Sequence, residues 1–316
     1  MATTTNENPA ASRVRGGDPL GDRLIRIWSL AQHIYAQRPD VQEVCPDPRS
    51  EEFWIWMNCF GLREYPEIRD LLVPLPPPQM RALAGDGREA AFLLTGASIY
   101  RLLIKVTHEV KRPFSSFAQV LDFGCGPARG LRYLLKHAQT LACTGTDVDA
   151  TAINWCRNHF PFGEFWVNRE VPPTDFPSAT FDLIYAISVF SHLAEGNHLA
   201  WLKELHRLGK SDGIVVLTVH GEHALRRALN EAELFRILQA LLQLTKADLL
   251  GIGQRLASHQ YAFMRQRGGH LNTDLYGVTF ISKEYVLRRW SQDFEVLAYL
   301  EGAIDNWQDA VVLRVR

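Results

Sequence analysis

Residues 120–134, VLDFGCGPARGLRYL, end an apolar run at Asp122 and then place Gly124, Gly126 and Gly130 within seven residues. Glycine lets the backbone turn through positive φ and come close to a ligand, and a helix opening near Ala128 would add free N–H groups and a partial positive charge. A nucleotide-like cofactor suits such a turn. Gly124 and Gly126 match the first pair of G-x-G-x-x-G, but the third glycine of that pattern would fall at Arg129. A dinucleotide brings a pyrophosphate to this loop, and Asp122 would repel it; an aspartate here suits an ammonium group instead. A second apolar run ends at Asp147, 21 residues after Gly126, where a carboxylate can accept both hydroxyls of a ribose. Together the two aspartates imply an adenosine carrying an amino-acid tail. Cys125, inside the loop, has no partner histidine or second cysteine at a spacing that suggests covalent chemistry, which leaves size and backbone contact as its contribution.

The elements that must position these residues alternate along 117–220. FAQVLDF, LACTGTD, EFWVN, FDLIYAI and GIVVLTV read as short strands, separated by helical stretches ARGLRYLLKHA, ATAINWCRNH and HLAWLKELHRLG. This alternation predicts an α/β fold, a mostly parallel sheet covered by helices on both faces with the ligand crevice at the strand ends. Beyond Val219, EHALRRALNEAELFRILQALLQLTKADLL predicts a long amphipathic helical stretch, followed by a less regular segment from Gly251 to Thr279. The sheet resumes with helix SKEYVLRRW and strands FEVLAYL and AVVLRVR. Residues 221–279 thus form an insertion beside the crevice, expected to act as a substrate cap. Upstream, DRLIRIWSLAQHIYAQ and SEEFWIWMNCFGL carry apolar residues at helical spacing, the second capped by Ser50; VPLPPPQM halts regular structure, and one or two helices follow over 88–110. Trp54, Trp56 and Phe60 belong to a core or line a cleft, which spacing alone does not decide. The Thr, Asn, Pro and Gly content of the first twenty residues predicts disorder there.

VLDFGCGPARG, GTDVD, the VN before FPSATFDLIYAISVFSHL, and GIVVLTVHG resemble the class I S-adenosylmethionine-dependent methyltransferases. Within that superfamily the chain is similar to bacterial small-molecule and glycan-associated members, whose pattern runs through FDLIYAISVFSHL and ends in WQDAVVLRVR. The likeness is tight over about 117–220, looser at the last strands and weak before Leu75; the final glycine of D-x-G-x-G-x-G is Ala128 here. The resemblance implies a Rossmann-like sheet of seven strands, with an N-terminal helical extension over 21–110, the methyltransferase domain over 111–316 and the mostly helical insertion after the fifth strand. It implies S-adenosyl-L-methionine as cofactor, with Asp122 near the methionine ammonium, Gly124, Cys125 and Gly126 along methionine and ribose, Asp147 on the ribose hydroxyls and Val148 beside adenine. Asn168, often an aspartate in the family, offers an amide oxygen to the adenine amine, and Ala186 to Ser188 line the methionine side.

Methyl transfer from a sulfonium needs an aligned nucleophile, exclusion of water and, for a hydroxyl or ammonium, a proton acceptor. His192, after the fourth strand, and His220, after the fifth, stand at strand ends where such an acceptor belongs; His220 is the preferred candidate, with bracing of the following helix as the competing role for His192. His259, Tyr261, His270 and Tyr276 are candidates to complete the substrate pocket. Asp149 is expected to cap a helix and Asp182 to pin local backbone. No clustered Asp and Asn set suggests a metal.

The composition limits the partners. Lys and Arg total 34 against 35 Asp and Glu, a formal charge of -1 with no field to draw a nucleic acid. Five cysteines without C-x-x-C spacing suggest neither a disulfide scaffold nor structural zinc and fit a reducing cytoplasm. No stretch reaches 18 uninterrupted apolar residues, and no export signal is read. The near balance of charge in the insertion demands neither a strongly anionic nor a strongly cationic substrate, and the aromatic content suits a small, sugar-containing, aromatic or partly apolar acceptor methylated on O or N. A catalytically silent S-adenosylmethionine-binding protein and an NAD-dependent oxidoreductase are the alternatives at this stage.

Overall fold

A computed structural model describes residues 20–83, 87–266 and 271–316; the expected disorder of the extreme N-terminus and the candidate His270 lie outside them. Nine strands are described: β1 (Gln119–Phe123), β2 (Ala142–Asp147), β3 (Glu164–Val167), β4 (Phe181–Ala186), β5 (Gly209–Val219), β6 (Ala262–Arg265), β7 (Gly277–Phe280), β8 (Phe294–Ile304) and β9 (Gln308–Val315). Seven of them form one sheet in the order β3-β2-β1-β4-β5-β9-β8. The pairs from β3 to β5 are parallel, while β9 enters antiparallel to β5 and carries β8 at the edge.

The sequence explains this arrangement. Val120, Leu121, Asp122 and Phe123 of β1 are all buried, as are Ile214 to Val219 of β5, so these strands have no polar face and require cover on both sides. One face packs under the N-terminal helices and Glu89–Glu109, joining Trp54, Leu103, Tyr133 and Ile153; the other takes Trp201 and Leu205 of helix Glu195–Leu208 and Trp290 of helix Lys283–Trp290. Reversal of strand order at β1 and β4 opens a crevice at their carboxyl ends, where the ligand of such a sheet binds.

Trp54 is fully buried and its indole Nε1 donates to the Tyr133 carbonyl at 2.9 Å, which places it in the core; Phe60 is exposed. Ser50 caps helix Glu51–Trp56 by accepting from the Phe53 amide. Glu89–Glu109 is a single helix, and among the described residues it alone is long and apolar enough to cross a membrane, although Phe92, Leu93, Tyr100 and Leu103 are buried in this fold.

Three local expectations are corrected. The stretch after the glycine loop is a short 3₁₀ helix, Leu131–His137, because Ala128 sits at φ +56 and turns the chain out of helical geometry. The long helix of the insertion is three helices, Glu222–Asn230, Ala232–Leu242 and Lys246–Ala257, broken at Glu231 and at the left-handed Gln243 and restarted by a capping box at Thr245. The less regular segment contains an antiparallel pair, β6 with β7. β7 is stitched to the main domain: the amides of Gly277 and Thr279 donate to the carbonyls of His192 and Ser191, and that of Ile281 to His220. The tertiary partner, invisible to local pattern, makes it a strand.

Candidate functional site

The ends of β1, β2 and β4 surround a cavity of about 710 Å³. Of the residues singled out in sequence, Asp122, Gly124, Cys125, Gly126, Asp147, Val148, Asn168, Ser188 and His192 all line it. Ala186 does not: it is a fully buried residue of β4 packed into the core, and Ile187, Ser188 and Val189 occupy the wall in its place. His220 is not part of the lining either.

Three consecutive amides of the glycine loop are committed to β2. Gly124 and Cys125 both donate to the Thr146 carbonyl, at 2.8 and 2.9 Å, and Gly126 donates to Asp147 Oδ2 at 2.7 Å. The loop therefore offers no nest of free N–H groups to a pyrophosphate, in keeping with a carboxylate at Asp122. The two glycines serve different ends. A Cβ on Gly124, at φ +74, would meet Val189 Cγ2 at 2.3 Å, whereas a Cβ on Gly126, at φ +52, would find only Asp147 Oδ2 at 4.0 Å and would project into space a ligand can use.

Asp122 is almost fully buried, and its Oδ2 accepts from the Tyr185 hydroxyl at 2.9 Å. Burial pushes its carboxyl up to about 7, opposed by that hydrogen bond and by Arg129. Burial also raises Asp147, opposed by the backbone N–H groups of Asp149 and Gly126. Asp149 caps helix Ala150–His159 through the Thr151 and Ala152 amides, and Asp182 accepts from the Ala118 and Gln119 amides, both as the sequence leads one to expect. Asn168 donates through Nδ2 to the Arg169 carbonyl, while its Oδ1 is buried without any partner. A buried acceptor left unpaired is costly, so this wall calls for a donor from a ligand.

On the same cavity wall, His192 Nδ1 donates to the Gly277 carbonyl at 2.7 Å, fixing the tautomer and leaving Nε2 as the acceptor of the neutral ring. Burial lowers its pKa. Tyr276 stacks on it at 5.1 Å and shares the cavity wall. His220 stands behind, edge-on to His192 at 5.9 Å, wedged between Phe280 and Trp307, with Nδ1 donating to the Thr279 carbonyl at 3.2 Å; burial, and then His192, lower it to about 3. The preference between the two histidines therefore reverses: β7 docks over His220 and leaves His192 at the wall. Tyr261 is diverted to structure, its hydroxyl bonding the Leu193 carbonyl and His198, and exposed His259 is absent from the lining.

The cavity also holds residues the sequence reading passed over. Arg129, half-buried and with its pKa lowered by desolvation against Asp305 and Asp122, lines the site at the very position where the dinucleotide pattern wants a glycine; that departure was its signal. Asp305, Trp307 and Gln308 come from the turn joining β8 to β9 and the start of β9, where WQD was noted only as a family pattern. Thr95, Gln266 and Thr273 bring the N-terminal helix and the insertion to the rim. Thr95 and Ser98 donate their hydroxyls to Asp305 at 2.7 and 3.0 Å, tying helix to turn.

Residues 120–213 match a family model described as a methyltransferase domain. No curated protein matches the chain at a significant level. Solved structures similar to it include a Pyrococcus horikoshii OT3 protein, at 18% identity over 69% of this chain and 91% of that one with a TM-score of 0.46. A SAM-dependent methyltransferase from Aquifex aeolicus shows 15% identity over 77% and 100%, TM-score 0.44. A TehB-like SAM-dependent methyltransferase from Corynebacterium glutamicum shows 18% over 75% and 95%, TM-score 0.41. The matched residues run from β1 into β5 of the Rossmann-like seven-stranded sheet.

Proposed function

We propose that this chain transfers a methyl group from S-adenosylmethionine to an oxygen or nitrogen of a small, sugar-containing acceptor in the cytoplasm. The observation that carries the reading is one cavity lined by two chemically distinct sets of groups: the carboxylates of Asp122 and Asp147 with the unpaired Asn168 oxygen, and the oriented acceptor nitrogen of His192. The first set fits the cofactor. Asp122 takes its ammonium, Asp147 its ribose hydroxyls, Val148 an adenine face and Asn168 Oδ1 the adenine amine, which supplies the donor that the buried oxygen lacks. Gly126 keeps a side chain out of that path.

When bound, the cofactor supplies an electrophilic methyl on a positively charged sulfur. The protein's task is alignment, exclusion of water and proton acceptance. Tyr276 and Trp307 offer the acceptor aromatic faces, and Gln266 and Thr273 offer it hydrogen bonds; this mixture suits a ring with one apolar face and a hydroxylated edge. His192 Nε2 receives the proton of the nucleophile, and the Gly277 carbonyl holds the imidazole in the tautomer that can do so. The insertion closes this side as a cap, with Leu241, Leu271 and Leu275 in the wall.

The test has two stages. Calorimetric titration with S-adenosylhomocysteine and with NAD is expected to show saturable binding of the first alone. Incubation with methyl-labelled S-adenosylmethionine and a library of hydroxylated and amino sugars or glycosides is then expected to label an acceptor, and His192→Ala to abolish that labelling without loss of cofactor binding. Tight cofactor binding with no labelled acceptor would favour a silent binding protein, and binding of NAD alone would overturn the reading.

A further inference from the structure

Ser188, at the end of β4, has φ +61, a left-handed conformation unfavourable for a side chain. A closed ring of hydrogen bonds holds it there. Its backbone N–H donates to Thr218 Oγ1 at 2.8 Å, the Thr218 hydroxyl donates to Gln308 Oε1 at 2.6 Å, and Gln308 Nε2 donates to Ser188 Oγ at 2.6 Å. Thr218 is fully buried and Gln308 nearly so.

The ring has a direction. Thr218 Oγ1 accepts from the Ser188 amide and passes its own proton to Gln308 Oε1, which turns the amide nitrogen of Gln308 toward Ser188. Ser188 Oγ then accepts from Gln308, and Arg129 Nη2 approaches the same oxygen at 3.5 Å as a second donor. The proton of Ser188 finds no acceptor in the ring. Ser188, Gln308 and Arg129 all line the cavity, so that proton is available to a ligand.

We propose that Gln308 is a positioning residue that makes Ser188 a hydrogen-bond donor to the carboxylate of the cofactor's amino-acid end, with Arg129 as its charge partner. The proposal rests on the cofactor reading above. An amino-acid tail is a zwitterion, and the cavity presents opposite charges for both halves, Asp122 for the ammonium and Arg129 beside Ser188 for the carboxylate. Gln308 reaches this end from β9, the antiparallel strand that follows the insertion, so closure of the sheet at β9 is coupled to recognition of the tail.

The experiment compares two ligands by calorimetry: S-adenosylhomocysteine, and 5′-methylthioadenosine, which keeps the nucleoside and thioether but lacks the amino-acid end. Ser188→Ala, Gln308→Leu and Gln308→Glu are each expected to raise the Kd for S-adenosylhomocysteine about tenfold or more and to change that for 5′-methylthioadenosine by less than about twofold. Gln308→Glu is the sharpest of these, because a carboxylate only accepts: it draws the Ser188 proton into the ring with almost no change of volume. An unchanged Kd for S-adenosylhomocysteine in Gln308→Glu and Gln308→Leu overturns the proposal, as does an equal loss for both ligands, which would mean collapse of the pocket. Wild-type protein that binds 5′-methylthioadenosine but not S-adenosylhomocysteine overturns the tail recognition alone. Binding of neither removes the cofactor reading and this proposal with it.

Discussion

At the scale of single residues, the site is governed by what burial does to charge. Asp122 without ligand is a carboxylic acid below about 7, and an ammonium placed beside it favours the carboxylate. Cofactor affinity is therefore expected to rise with pH through about 7, because the ligand's ammonium, held beside its own carboxylate, keeps its proton well above that pH. Titration of S-adenosylhomocysteine from pH 5.5 to 9 checks this, and Asp122→Asn is expected to flatten the acid limb; a wild-type affinity indifferent to pH below 7 would remove Asp122 from the tail. His192 carries the second expectation. It must be neutral to accept a proton, and its pKa is lowered by burial, so turnover should rise with pH through a midpoint below the ordinary histidine value of about 6.5. His192→Ala should cost roughly 10²–10⁴-fold in turnover and little in cofactor affinity, and a midpoint at or above that value would sink its role as base. The carboxylates were legible in the sequence because strand ends announce themselves. The choice between His192 and His220 was not, since it depends on β7 docking from 57 positions beyond His220, a contact without a local signal. Arg129 was legible but was read only as a missing glycine.

Among the elements, the glycine loop and the insertion behave differently as subjects for sequence reading. The loop's two left-handed glycines separate by substitution. Gly124→Ala meets Val189 Cγ2 at 2.3 Å and should destabilise the fold by about 2 kcal/mol or more, whereas Gly126→Ala meets open space, costs about 1 kcal/mol in backbone strain and should act mainly on cofactor affinity. Urea unfolding and calorimetry on both variants test this, and the reverse order of stability losses would refute it. Ala128, where the family pattern has glycine, is held at φ +56 and fully buried. Ala128→Gly relieves about 1–2 kcal/mol of strain but loses about 0.8 kcal/mol of methyl burial and about 0.4–1 kcal/mol through the freer unfolded chain, so the alanine is tolerated with little net effect. The parallel strands were legible because burial on both faces leaves unbroken apolar runs. The insertion was legible as an interruption but not in form. Its helices were merged because amphipathic periodicity continues across Glu231 and Gln243, and β6 and β7 were missed because four-residue strands depend on each other and on residues 191–193 and 220 for their hydrogen bonds.

For the molecule as a whole, acid stability is set by histidines that the fold keeps neutral. His198 is buried between Trp290 and Tyr261, with Nε2 accepting from the Trp290 indole at 3.1 Å, and it ties the helix Glu195–Leu208 to the helix Lys283–Trp290 and to the insertion. His220 sits under β7 and His137 under the N-terminal helices, its ring tilted against Phe114 at 4.6 Å. Burial depresses all three, His198 and His220 to about 3 and His137 to about 4. The unfolded chain takes up protons on these rings below about 6.5 while the folded chain does not, so their stabilising contribution is complete above that pH and is lost as pH falls toward about 4. Between pH 7.5 and 5.5 the three together should cost about 4 kcal/mol, and Asp122, whose folded pKa is raised to about 7, offsets about 2 kcal/mol by binding its proton more tightly in the folded state. These four groups together leave a loss of about 2 kcal/mol over that interval, to which His192, also depressed, adds and from which the raised Asp147 and Asp309 subtract. Urea midpoints at the two pH values measure the sum. The Asp122→Asn variant separates the terms: with the offset removed, its loss should approach about 4 kcal/mol. Equal stability at both pH values in wild type and variant would mean that the three rings are not held neutral, and that the packing joining cap, sheet and extension is looser than the fold described here.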